Sequence, residues 1–273
     1  MTRRLVVSLA VSLLSLPALA GQSKEAQAAF AQAKQAVGLV PAFLRVLPDP
    51  LVAPIWEQVG ALEMNPNTAL PGKTKELIGM AVAAQIPCHY CGYSHTQFAR
   101  LEGATETELH EAAAVAALTR HWATVFDAFS AQPAEQAASV PAEVQAIYAD
   151  IEKTLGAVPP ALRRYPQAAL APAWKAFKSA SSYTLPAKDR ALIGLAVSAQ
   201  IPSPDCAKFY QEAAKAAGAT EPEIEEAVAM AALVRAGSAV LNGALLDEAA
   251  YRKEVDQMVK HAKVAMKKEM ARR

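Results

Sequence analysis

Residues 70–91, LPGKTKELIGMAVAAQIPCHYC, return at 185–206 as LPAKDRALIGLAVSAQIPSPDC. VGLVPAFLRVLPDPLVAPIW at 37–56 returns as LGAVPPALRRYPQAALAPAW at 155–174. EGATETELHEAAAVAAL at 102–118 returns as AGATEPEIEEAVAMAAL at 217–233. The offset is 118 residues in the earlier block (Trp56 to Trp174) and 115 in the others (Leu70 to Leu185), a three-residue gap. A chain built twice from one unit must fold into two similar halves, and each unit offers the other an apolar face to cover. The expected organisation is a segment 1–20 outside the fold, a repeat at 24–132, a second at 141–250, and a basic C-terminal helix or tail at 251–273. The link near AQPAEQAASVPAE is polar, alanine-rich and carries two prolines. Trp56 and Trp174 occupy equivalent places, which predicts packing rather than recognition.

Each unit reads as helix. Hydrophobic residues make up 53% of the 273 positions and aromatics only 6%. Much of the difference is alanine, the strongest helix former. Strictly alternating Val/Ile/Thr runs are scarce, so the expected fold class is all-α. Pro71 opens a helix through Leu77, Ile78, Val82 and Ile86, and Pro87 closes it. A second helix is predicted from about Cys88 to Glu102, with Gly103 as its stop. Thr105 and Glu108 have capping-box spacing and open a third helix through His110, Val115, Leu118, Trp122 and Phe126.

The N-terminus reads differently. Arg3 and Arg4 precede an apolar run from Leu5 to Leu16, followed by Pro17 and Ala18-Leu19-Ala20. A charged start, a short apolar stretch and an A-x-A site have the pattern of a secretory signal cleaved near Ala20. The run is shorter than the roughly 20 residues that span a bilayer. Export would place the mature chain in an oxidising periplasm. The formal net charge of +1 gives no reason to expect a nucleic-acid partner. The stretch Arg252–Arg273 is basic; it reads as a solvated, fraying helix end, with contact to anionic lipids as the alternative.

Reactive side chains concentrate in CHYCGYSH at 88–95. Cys88 and Cys91 are three apart, and His95 lies one helical turn beyond Cys91. Cys88 falls at a helix N-terminus, where free N–H groups and the dipole favour a thiolate. A Cys88–Cys91 bridge closes so short a loop that chain entropy assigns it only about 2 kcal/mol. Redox exchange is therefore the better reading than a structural staple. Zinc is an alternative, because Cys88, His89, Cys91 and His95 are all possible ligands, but no second ligand pair at zinc spacing is evident. Glu76, twelve residues before Cys88, folds back towards this helix if the chain reverses at Pro87. His110 and His121 read as ordinary surface or boundary histidines.

Glu76, Cys88, Cys91 and His95 together resemble the carboxymuconolactone decarboxylase-like superfamily, and within it the alkylhydroperoxidase D type. That family's pattern is a glutamate, a C-x-x-C, and a histidine four residues after the second cysteine. The repeated Gly-x-Val-Pro segments are similar to those of peroxidase-related members, and the resemblance covers roughly residues 30–250. It implies an all-α fold and hydroperoxide reduction by thiol chemistry. By that analogy Cys91 attacks the peroxide, Cys88 resolves the sulfenic acid, and His95 with Glu76 relays protons. The family's second histidine, directly before the second cysteine, is Tyr90 here, with His89 one place earlier; both are candidate accessory residues. The resemblance implies a hydroperoxide substrate, an external dithiol or thioredoxin-like donor, no cofactor or metal, and a homo-oligomer. The second repeat has Ala191, Ser203, Cys206 and Tyr210 at the equivalent places and is expected to be a silent packing partner. Two rival functions stand beside this one: a non-catalytic helical module that senses redox state or binds metal, and decarboxylation of a lactone.

Overall fold

The computed structural model describes residues 21–129, 140–201 and 203–271. The Leu5–Leu16 run and the expected cleavage site at Ala20 lie outside them. Among the described residues there are thirteen α-helices and no strand, so the fold is all-α. The first six are α1 (Lys24–Val37), α2 (Ala42–Arg45), α3 (Asp49–Ala61), α4 (Gly72–Gln85), α5 (His89–Leu101) and α6 (Glu106–Phe129). The next six repeat that order: α7 (Ala142–Leu155), α8 (Pro160–Arg163), α9 (Gln167–Ser179), α10 (Ala187–Ser198), α11 (Pro204–Ala216) and α12 (Glu221–Ala244). The last, α13 (Glu248–Met270), has no described counterpart in the first repeat.

Proline placement explains the matching starts. Pro41, Pro48 and Pro71 occupy the N-caps of α2, α3 and α4, and Pro159, Pro166 and Pro186 those of α8, α9 and α10. Proline has no N–H to leave orphaned there, and its fixed φ suits entry into a helix. Thr105 and Glu108 exchange the expected cap bonds at 3.1 and 2.8 Å, and Thr220 and Glu223 do the same for α12. Gly103 ends α5 with φ of 86°, a left-handed turn that costs glycine nothing.

The two repeats share one core. Leu77, Ile78 and Ala81 of α4 lie fully buried with Leu192, Ile193 and Ala196 of α10. Thr74 Oγ1 lies 3.4 Å from Asp189 Oδ1, and these two residues occupy the same place in each repeat. A contact between equivalent residues marks a local two-fold relation, the geometry of an isologous interface built within one chain.

That symmetry recurs in a pair of clamps. Glu226 on α12 accepts hydrogen bonds from Thr68 Oγ1 (2.5 Å) and the N–H groups of Ala69 (2.7 Å) and Leu70 (3.1 Å). Its counterpart Glu111 on α6 accepts from the N–H of Thr184 (2.7 Å), Thr184 Oγ1 (2.8 Å) and the N–H of Leu185 (2.8 Å). Each repeat thus holds the loop that opens the other's central helix. Glu226 also pairs at 3.2 Å with Lys75, which is fully buried and donates to the carbonyls of Leu62 (2.7 Å) and Asn65 (2.8 Å). Removing one partner of a buried pair strands the other charge, at a cost of about 3–5 kcal/mol. The two carbonyls keep Glu226→Gln near the lower end of that range. Denaturant unfolding should therefore show a large loss for Glu226→Gln and a smaller one for Glu111→Gln at the more exposed clamp; equal losses would contradict the role given to Lys75.

The C-terminal segment departs from its sequence reading. Most of it is neither frayed nor merely solvated: α13 packs against α5 through buried Tyr251, Val255, Met258 and Val259. These residues recur at helical spacing and form one apolar stripe, while Lys260, Lys263, Lys267 and Lys268 are exposed. The lysine-rich composition masked the stripe.

Candidate active site

The chain reverses between α4 and α5 at Pro87, and this sets Glu76 opposite His95. Cys88 is the N-cap of α5, and its Sγ accepts the N–H of Cys91 at 3.2 Å. A disulfide joins Cys88 and Cys91, whose Cα atoms are 5.3 Å apart. One turn further, His95 Nδ1 lies 2.8 Å from Glu76 Oε2. The ring fits there because residue 79 is glycine. A Cβ at Gly79 would sit 2.4 Å from Nδ1, inside van der Waals contact.

A second carboxylate faces the same ring. Glu63, in the loop after α3, places Oε1 3.6 Å from His95 Nδ1. His95 and Glu76 are both about nine-tenths buried. Burial pushes the Glu76 carboxyl up to about 7, only partly opposed by its hydrogen bond to His95. Burial alone would lower His95, but the hydrogen bond and charge of Glu76, with the charge of Glu63, outweigh it and raise His95 to about 9. Two carboxylates around one imidazole favour the imidazolium, so His95 holds a proton it can give. The stabilisation from that raised pKa is fully present below the ordinary value near 6.5 and fades as pH rises through about 9. Glu76→Gln removes the hydrogen-bonded charge and leaves burial less opposed, so His95 should titrate about 1–3 units lower. Its imidazole Cε1–H resonance, followed by NMR against pH, checks this; an unmoved midpoint would mean that Glu63 alone holds the proton.

The two sulfurs open onto different sides of α5. Cys91 lines a cavity of about 120 Å³ with His95, Ser94 and Glu63, walled by Phe43, Leu47 and Val59. Leu233, Val234 and Leu241 of α12 and Tyr251 of α13 close it, so the second half of the chain supplies part of the wall. Cys88 instead lines an open cleft of about 490 Å³ with His89, Tyr93, Arg100 and Arg252.

Of the residues singled out in the sequence, Glu76, Cys91 and His95 meet in one place, and Cys88 reaches it through the disulfide. His89 is exposed on the Cys88 side. Tyr90 donates its hydroxyl proton to the Leu246 carbonyl at 2.7 Å and packs edge-on against Tyr251. It ties α5 to the segment before α13 rather than facing the Cys91 cavity. His110 and His121 are exposed, and His121 sits 3.2 Å from the Tyr165 hydroxyl. The zinc set considered from sequence is not assembled, because both thiols are in the disulfide and His89 is on the other side. Among the described residues, the donor atoms gathered within 4.8 Å belong to Glu63, Glu76 and His95, two carboxylates and an imidazole that a divalent ion could use. Sequence reading missed Glu63 and Tyr251. The only signal for Glu63 was a difference between the repeats, since serine (Ser181) stands at the equivalent place.

The model of the carboxymuconolactone decarboxylase family matches residues 50–132 and again 166–249. The chain belongs to that family. A solved structure provisionally assigned as a gamma-carboxymuconolactone decarboxylase subunit from Burkholderia xenovorans LB400 has the same fold. It aligns with a TM-score of 0.61 and 18% identity, over 85% of this chain and 100% of that one. No curated protein matches.

The second repeat of this carboxymuconolactone decarboxylase family member carries a different set of groups at the same places. Tyr210 stands where His95 does, with its ring against Gly194 as His95 is against Gly79. Its hydroxyl meets Thr119 Oγ1 at 2.8 Å, and burial pushes it up to about 12. Ala191 replaces Glu76. Cys206 is free and buried, and burial raises its thiol. Ser203 hydrogen-bonds to it and the charges of Asp127 and Asp205 lie near, but the other two cysteines are joined to each other, so Cys206 has no resolving partner.

Proposed function

We propose that the chain is a thiol-dependent hydroperoxide reductase. The observation that carries this reading is the placement of Cys91, bridged to Cys88, in one small cavity with a histidine hydrogen-bonded to a buried glutamate. In the reduced enzyme the Cys91 thiolate attacks the distal peroxide oxygen and the O–O bond breaks. The leaving alkoxide takes a proton from His95, which recovers one through Glu76. Cys91 is then a sulfenic acid. The Cys88 sulfur attacks it, the S–S bond forms, and hydroxide leaves as water with the proton from Cys88. Per turnover, one hydroperoxide and two thiols become one alcohol, one water and one disulfide. An external dithiol, itself oxidised, returns the pair to thiols. The open cleft at Cys88 supports entry of that donor from the side opposite the peroxide, and the cavity size supports a small or short-chain hydroperoxide. The expected setting is the periplasm, with the chain associated as a homo-oligomer.

Thiol titration of the reduced full chain tests the reading. One equivalent of tert-butyl hydroperoxide should remove two of its three thiols, with Cys206 remaining. Unchanged thiols over hours, with stoichiometric zinc retained on Glu63, Glu76 and His95, would favour the metal-binding module instead.

A further inference from the structure

The Cys91 cavity lies between two helix faces. From α5 come Cys91, Ser94 and His95, and from α12 come Leu233, Val234, Val240 and Leu241. Those four α12 residues stand at i−4, i−3, i+3 and i+4 around Gly237, which lines the same cavity. Residues at those spacings share one face of a helix, so Gly237 is at the centre of the face that walls the cavity. A Cβ built at Gly237 would meet nothing within 4 Å. Its backbone is ordinary helix without a positive φ. Neither a left-handed turn nor a close neighbour therefore requires glycine there, and glycine inside a helix is destabilising relative to alanine.

The fold accepts a large side chain at the equivalent place. Where the Cys91 cavity has Val59, Ser94, Gly237 and Leu241, the equivalent cavity of the second repeat has Phe177, Phe209, Trp122 and Phe126. Trp122 is buried, and its ring packs on Phe126 at 6.3 Å and on Phe177 at 6.4 Å. The two places differ in the chemistry beside them. Gly237 shares its cavity with Cys91 and His95, whereas Trp122 shares one with Tyr210 in place of the histidine. We infer that Gly237 is a specificity-determining residue, whose missing side chain leaves the space taken by the alkyl group of an organic hydroperoxide bound at Cys91. Leu233, Val234, Val240 and Leu241 around it give that group an apolar bed, which hydrogen peroxide cannot use. The second repeat thus selects the substrate on which the first repeat acts. This inference rests on the hydroperoxide reading and adds to it the residue that admits the alkyl group.

The test is the steady-state kinetics of the full chain with tert-butyl hydroperoxide and with hydrogen peroxide, dithiothreitol serving as the dithiol donor. Gly237→Val fills the space. Its kcat/KM for tert-butyl hydroperoxide should fall about tenfold or more, as for one misfitted group in an apolar pocket, while that for hydrogen peroxide stays within about twofold of wild type. Gly237→Ala should lose less with tert-butyl hydroperoxide and should melt at a higher temperature, because alanine is the better helix former and its Cβ meets no neighbour. Gly243→Val is the control: it lies on α12 outside the cavity, and its Cβ also meets nothing within 4 Å, so the ratio of the two peroxides should stay unchanged. A ratio measured on one protein does not move when the folded fraction falls. Equal effects of Gly237→Val on both peroxides, or none on either, would overturn the inference and leave the hydroperoxide reading standing. An equal change of ratio in Gly243→Val would also overturn it. A wild type that reduces neither peroxide would overturn the reading and the inference together.

Discussion

Cys91→Ser will abolish hydroperoxide reduction, while Cys88→Ser will consume one equivalent and stall with a sulfenic acid on Cys91. Two physical effects compete over which sulfur attacks. Cys88 sits at the helix N-cap and accepts the Cys91 N–H, which favours its thiolate. Lowering a thiol pKa from about 8.5 to about 7 raises its thiolate fraction at neutral pH roughly 15-fold. Part of that gain is lost because nucleophilicity falls with pKa. Against it stands acid help to the leaving oxygen, worth about 10²–10⁴-fold. His95 lines the Cys91 cavity and not the Cys88 cleft, so the larger effect selects Cys91. Mass spectrometry after dimedone trapping reads the outcome directly. Consumption of one equivalent by Cys91→Ser with a dimedone adduct on Cys88, and none by Cys88→Ser, would reverse the assignment.

Gly79→Ala will cost most of the activity without touching a reactive atom. A methyl group there would meet the His95 ring at 2.4–2.6 Å, so the imidazole must leave Glu76 or α4 must move. Overpacking of this kind costs about 1–3 kcal/mol of stability. The kinetic loss should approach that of His95→Gln, up to about 10²–10⁴-fold. Gly194→Ala is the matched control. Its Cβ would meet the Tyr210 ring at 2.3 Å, so it should destabilise to a similar degree. It leaves the Glu76–His95 pair alone and should keep peroxide turnover. Similar losses of activity in both variants would mean that stability, not the position of His95, limits the reaction.

The decarboxylase reading of the same scaffold rests on the family match and on fold likeness, neither of which fixes the chemistry of this chain. In this chain the disulfide-forming pair beside His95 and Glu76 is the feature a thiol peroxidase uses. Titration of thiols against peroxide separates the two activities without a lactone substrate.

The sequence by itself determined the all-α class, the two repeats, and the helix boundaries around the cysteines. Those features are local: prolines and glycines act on their own turn, and the Cys91-to-His95 spacing is one turn of helix. The nearness of Glu76 to His95 was legible because the reversal at Pro87 folds two adjacent helices together. Tertiary structure alone decided the rest. Glu226 reaches a loop 156–158 positions earlier, Tyr90 reaches a carbonyl 156 positions later, and α12 walls the Cys91 cavity. It also decided that the second repeat encloses a cavity with aromatic lining, and that α13 covers α5. These contacts depend on how two similar units dock about a local two-fold relation. Helical periodicity states which face of each unit is apolar, but not which residue of the other unit that face will meet.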